Sequence, residues 1–219
     1  MIERPSPNFD GRQVPVDILL LHYTGMQSAG AALDRLCDPA AKVSCHWLID
    51  EDGTAHRLVP EDRRAWHAGK SFWAGERDIN SRSIGIELVN PGHEWGYRPF
   101  PTAQMAALAT LATGILGRHA IPAARVLAHS DVAPDRKQDP GELFDWAWLA
   151  ARGIGLWPAA DAAGLPGEPA RLLVAIGYET ATADAIAAFQ RRYRPARIDG
   201  MLDGETALRI GQVASLHGI

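Results

Sequence analysis

Two of the eight histidines in this 219-residue chain stand where a fold gathers reactive side chains. His22 closes the apolar run Val14-Pro15-Val16-Asp17-Ile18-Leu19-Leu20-Leu21, and His129 follows Val126-Leu127-Ala128. In open α/β sheets the ends of buried strands are where side chains converge on a ligand crevice. His129 also opens the segment His129-Ser130-Asp131-Val132-Ala133-Pro134-Asp135-Arg136-Lys137-Gln138-Asp139-Pro140-Gly141, which carries four carboxylate or imidazole groups and two bases. Two imidazoles and one carboxylate from separate strands and loops compose a catalytic zinc set, with a fourth position left for water. The chain has no CxxC or HExxH signature, so residue types alone leave two readings open: a metal site, or hydrogen-bonded core histidines.

Glu87 interrupts the apolar stretch Ser83-Ile84-Gly85-Ile86-Glu87-Leu88-Val89. An unpaired carboxylate there is costly. It therefore either meets a buried base in a salt bridge or acts as a general base whose pKa is set by burial and neighbours. Lys137, two residues before Asp139, is either an exposed loop lysine or an ammonium that stabilises the oxyanion formed when water attacks a carbonyl.

These residues need a sheet to position them. The run ending at Leu21 and the stretch Ser83–Val89 read as strands buried on both faces. Val126–Ala128 is a short strand delivering His129. His46-Trp47-Leu48-Ile49 and Ala55-His56-Arg57-Leu58-Val59 flank Asp50-Glu51-Asp52-Gly53-Thr54, a hairpin signal. Residues 29–36 read as a helix. A longer helix starts at Thr102 as N-cap, keeps Met105, Leu108, Leu111 or Ala112, Ile115 and Leu116 at helical spacing, and stops before Pro122. His119 is read as exposed at its end. The expected fold is α/β, a central mixed β-sheet flanked by helices, followed by a small helical C-terminal unit.

Apolar residues make up 47% of the chain and charged residues 22%, the balance of a globular protein that can bury a core. A net charge of −4 without a basic stripe argues against a nucleic-acid partner. No apolar run reaches the roughly 18 residues of a membrane span. The start Met1-Ile2-Glu3-Arg4-Pro5-Ser6-Pro7 has no apolar signal core, so a cytoplasmic location is expected, or a periplasmic one if the chain is a trimmed form. Cys37 and Cys45 are expected as free thiols. The small-residue, Gly- and Pro-rich segment 161–169 reads as a linker between a domain at 1–160 and a unit at 170–219. In that unit a helix runs from about Thr182 to Tyr193 and another starts near Asp203 or Gly204. Fifty residues make a marginal independent core, so this unit leans on the larger domain.

Read in order, Leu21-His22-Tyr23-Thr24, Val43-Ser44-Cys45-His46-Trp47-Leu48-Ile49, Ala65-Trp66-His67-Ala68-Gly69, Ser83-Ile84-Gly85-Ile86-Glu87 and His129 through Gly141 resemble the zinc-dependent N-acetylmuramoyl-L-alanine amidases, relatives of the peptidoglycan recognition proteins. The resemblance implies a groove above one zinc ion per chain, held by His22, His129 and Asp139. It implies Glu87 as general base and Lys137 as oxyanion partner. His46, Trp66 and His67 would line the groove or support the ligands, and Arg77, with Arg82, would meet a substrate carboxylate or sugar. The implied partners are peptidoglycan fragments, and the implied reaction cleaves the amide between the lactyl group of N-acetylmuramic acid and L-alanine. A non-catalytic peptidoglycan-recognition module and a metallopeptidase of the stem peptide are the competing readings. Leu172–Tyr178, Ala185–Gln190 and Asp199–Ala207 are similar to the small three-helix peptidoglycan-binding domain, which implies a C-terminal three-helix domain that binds glycan or packs against the catalytic domain.

Overall fold

The computed structural model describes residues 1–219. The chain runs β1 (Ile2–Glu3), β2 (Phe9–Gly11), β3 (Ile18–Tyr23), α1 (Ala29–Cys37), β4 (Trp47–Ile49), β5 (Ala55–Arg57), β6 (Arg63–Ala65), α2 (Ile79–Arg82), β7 (Ser83–Leu88), α3 (Gly92–Trp95) and α4 (Thr102–His119). It continues with β8 (Val126–Ala128), α5 (His129–Val132), α6 (Trp146–Ala150), α7 (Pro169–Ile176), α8 (Ala183–Tyr193) and α9 (Gly204–His217). Six strands form one mixed sheet in the order β1-β5-β4-β7-β3-β8, and β2 pairs with β6 separately. The expected hairpin is present as antiparallel β4 and β5, while β7 lies parallel to both β3 and β4.

Side-chain alternation divides the sheet into two unlike faces. Leu19 and Leu21 of β3, Ile84, Ile86 and Leu88 of β7, and Val126 and Ala128 of β8 pack into one core with Met105, Leu108, Ala112 and Ile115 of α4. On the opposite face Ile18, Leu20 and Leu127 join Leu173, Ile176, Phe189, Ile210 and Val213 from α7, α8 and α9. At the other end of that face, Leu48 of β4 packs with Ala32 and Leu36 of α1. Between these two helical covers, the residues of β7 on this face are Ser83, Gly85 and Glu87. Ser83 and Gly85 are buried, and Glu87 alone of the three reaches an open cleft.

The helix signals in the sequence are realised with small shifts. Ser28 caps α1 by accepting from the Ala31 N–H, Thr182 caps α8 through Ala185, and Asp203 caps α9 through Thr206. α4 begins one residue earlier than a Thr102 cap requires: Pro101 takes the capping position and its carbonyl accepts from Met105 N–H. His119 does end α4, but it is half-buried and hydrogen-bonded to Glu61 at 2.7 Å rather than exposed. Cys37 and Cys45 are free thiols.

The C-terminal helices have no core separate from the sheet. Phe189, fully buried on α8, sits in the same cluster as Ile18, Leu20 and Leu127. No helix is long and apolar enough to cross a membrane.

Candidate metal centre

His22 is the fifth residue of β3, on the same side as Ile18 and Leu20, and only 1% exposed. His129 starts α5 directly after β8, and Asp139 follows on the loop beyond it. Their donor atoms converge. His22 Nδ1 lies 2.9 Å from His129 Nδ1 and 3.1 Å from Asp139 Oδ2, and His129 Nδ1 lies 3.0 Å from the same oxygen. Ser130 N–H donates to Asp139 O at 3.0 Å, tying the two loop-borne residues together.

The partners of the remaining ring nitrogens set the tautomers. His129 Nε2 is 3.1 Å from the carbonyl of Ala68, which can only accept, so the neutral ring turns a bare Nδ1 lone pair toward the cluster. His22 Nε2 lies 3.0 Å from His67 Nδ1; donation to His67 likewise leaves His22 Nδ1 free. Two imidazole lone pairs and a carboxylate oxygen pointing at one another repel, unless a cation or shared protons sit among them. A divalent cation suits that donor set, and the orienting hydrogen bonds are those that metal-binding histidines characteristically make. His22, His129 and Asp139 therefore form a cluster that could hold a metal ion.

The electrostatics agree. Burial pushes the His22 imidazole down to about 4, and the neighbouring His129 adds to this against the opposing pull of Asp139. Burial alone would raise the Asp139 carboxyl, but His129 and His22 outweigh it and hold the group well below the usual carboxylate range. Both ligands are thus already deprotonated at neutral pH, as metal binding requires.

A cleft of about 650 Å³ opens over the cluster, lined by His129, Lys137, Asp139, Glu87 and His67 among others. Oε2 of Glu87 is buried with no hydrogen-bond partner. Burial drives the Glu87 carboxyl well above its usual range, the Asp139 charge adds to this, and Lys137 opposes it. A cation on the cluster would act in the same direction as Lys137.

The other sequence candidates separate. His67 reaches the site and braces His22; its ring fills the space over Gly85, where a Cβ would stand 2.5 Å from His67 Nδ1. His46, Trp66 and Arg77 are not brought to the cleft. His46 is fully buried, its Nδ1 accepting from Gly85 N–H and its Nε2 3.0 Å from Arg63 O, which locks the sheet to the strand that follows. Trp66 bonds through Nε1 to Asp10 at 2.7 Å on the outer side. Arg77 pairs with Glu179 of the tail, and Arg82 with Asp17 and Glu76. Tyr23, Arg35, Glu94 and Trp95, which sequence reasoning did not single out, line the cleft instead. Tyr23 had a signal, since it directly follows His22; its hydroxyl is 2.9 Å from His93, which in turn meets Glu142.

The family model described as N-acetylmuramoyl-L-alanine amidase matches residues 12–142. The amidase AmiD of Escherichia coli (strain K12) is 37% identical over 222 residues, covering 87% of this chain and 79% of AmiD. Its solved complex with anhydro-N-acetylmuramic acid-L-Ala-D-gamma-Glu-L-Lys matches with a TM-score of 0.79 over 91% of this chain and 89% of that one. AmpDh3 from Pseudomonas aeruginosa matches with a TM-score of 0.83 at 33% identity, over 93% of each chain. The 1,6-anhydro-N-acetylmuramyl-L-alanine amidase AmpD of Enterobacter cloacae is 41% identical over 164 residues, covering 65% of this chain and 84% of AmpD. The family match takes in every element from β3 to α5, and with them the whole metal cluster, so the chain belongs to the N-acetylmuramoyl-L-alanine amidase family.

Proposed function

We propose that this chain hydrolyses the amide between the lactyl group of N-acetylmuramic acid and the L-alanine of the stem peptide, in peptidoglycan or in (anhydro-)muropeptides, with one zinc ion per chain. The observation that carries this reading is the convergence of His22 Nδ1, His129 Nδ1 and Asp139 Oδ2 at the floor of an open cleft. The AmiD complex, whose ligand contains the lactyl–alanine linkage, supports the substrate class.

His22, His129 and Asp139 would hold the metal at the floor of the cleft. Zinc bound there supplies Lewis acidity, polarising a carbonyl oxygen and bringing the pKa of water down to about 7. Glu87, with one oxygen unpartnered, takes the proton of the attacking water and returns it to the departing alanine nitrogen. The Lys137 ammonium, lining the same cleft, stabilises the negative charge that develops on the former carbonyl oxygen. His67 holds the His22 ring in its ligating tautomer. Residues 1–160 carry this chemistry, 161–169 connect, and the helical unit of 170–219 serves the same domain by packing on its sheet.

The deciding experiment incubates the zinc-loaded protein with anhydro-muropeptide and, in parallel, with whole sacculi. Release of an alanine-free lactyl sugar and a peptide with a free L-alanine N-terminus supports the amidase. A sugar still bearing alanine would mark a peptidase of the stem, and binding without cleavage a recognition module.

A further inference from the structure

Asp131 lies two residues beyond His129, in α5, yet both of its oxygens are held by the C-terminal segment, one from the turn after α7 and one from α8. Oδ1 accepts from the Tyr178 hydroxyl at 2.7 Å, and Oδ2 from Arg192 Nη1 at 2.8 Å. Oδ2 also accepts from Ala128 N–H at 2.8 Å, and Arg192 Nη1 reaches Val126 O at 3.1 Å. Asp131, Tyr178 and Arg192 are each at most 4% exposed, and the guanidinium lies 3.8 Å over the Trp146 ring. This network clasps the end of β8 and the first turn of α5, the backbone that aims His129. The hydrogen bond from Ser130 N–H to Asp139 O carries the same restraint to a second member of the cluster.

We propose that Arg192 and Tyr178 are positioning residues for the metal centre, acting through Asp131. The tail then completes the active site from behind, whether or not it touches glycan. This inference rests on reading His22, His129 and Asp139 as metal ligands.

An ion pair this deeply buried also stabilises the fold, because removing one partner strands the other charge. The test separates the two effects. Zinc affinity of the metal-free protein is measured by competition with a chromophoric chelator, well below each variant's Tm. Tyr178→Phe, which removes one hydroxyl, and Arg192→Met should each weaken zinc binding by about 10-fold, the scale seen when outer partners of metal ligands are removed. Their kcat should fall with little change in KM, and Arg192→Lys should recover part of the loss. Arg194→Ala breaks the tail's own pairs with Asp203 and Glu205, so it should lower Tm while leaving zinc affinity at the wild-type value. If Tyr178→Phe and Arg192→Met lower Tm but bind zinc as tightly as wild type, the tail is only a brace and the proposal fails. If the wild-type protein itself binds no zinc, the metal reading fails first and takes this inference with it.

Discussion

His22 on β3 and Glu87 on β7 are register partners in adjacent parallel strands, and both project from the face that the helices leave open. Neighbouring strands are about 4.8 Å apart, so the sheet itself fixes an imidazole of the candidate metal cluster beside the Glu87 carboxyl. Glu87 lies outside the cluster of converging donors, which gives its substitution a distinctive signature. Glu87→Gln is expected to retain zinc at one equivalent while kcat falls by about 10²- to 10⁴-fold, the usual weight of a general base. Near-wild-type turnover in a zinc-loaded Glu87→Gln protein would remove Glu87 from the mechanism.

Lys137 is expected to behave differently from the ligands and from the base. Lys137→Ala should leave zinc content unchanged and lower kcat by about 10²-fold, with KM little affected, because its charge acts on the transition state. A rise in KM at constant kcat would instead make it a ground-state contact with the substrate.

The two imidazoles of the candidate metal cluster were legible in the sequence because they stand near strand ends, where pattern and chemistry coincide. His22 is the penultimate residue of β3 and His129 follows β8, as the apolar runs before them imply. Residues that act from the ends of strands could be read; those that act by packing could not. Ser83–Val89 is buried on both faces as its apolar run implies, and only Glu87, packed among these buried residues, reaches the cleft. Trp66 sits in the same short motif as His67, which reaches the cleft, and only three-dimensional placement shows His46 and Trp66 tied to Gly85 and Asp10. Arg77 meets Glu179 and Asp131 meets Arg192, each more than 60 residues away in sequence, and no local spacing encodes such pairs.

Removal of metal should abolish turnover and loosen the fold together. Treatment with a strong chelator, followed by desalting, is expected to eliminate hydrolysis and lower Tm, and one equivalent of zinc should restore both. At free zinc 100 times Kd the stabilisation is about 2.7 kcal/mol. Hydrolysis that survives complete demetallation would overturn the zinc mechanism.

Acid should destabilise the metal-free protein over a window set by its buried imidazoles. Burial lowers His22 to about 4 and His46 to about 3, and moves His67 in the same direction. These rings stay neutral in the fold at pH values where an unfolded histidine, near 6.5, takes a proton. The unfolded state therefore binds more protons below pH 6.5, and stability falls as pH drops toward 4, by roughly 1.4 kcal/mol per unit for each ring. Glu87, displaced upward, works in the opposite sense above its ordinary 4.5, but it is one group against three. Urea midpoints measured at pH 7, 5.5 and 4.5 should decline in that order; a flat series would show that the rings are not held neutral.

The shared core makes a prediction about cooperativity. Phe189 belongs by sequence to the tail, but it is packed in one cluster with Ile18 and Leu20 beneath the metal centre. Phe189→Ala removes a fully buried ring and is expected to cost about 3–5 kcal/mol. If tail and sheet are one unit, the variant unfolds in a single transition in which far-ultraviolet dichroism, near-ultraviolet dichroism and zinc release coincide at a lowered midpoint. Helices with an independent core would instead melt first, leaving a folded zinc-binding sheet. With only about fifty residues to bury, and Phe189 already packed on the sheet, they have little from which to build such a core.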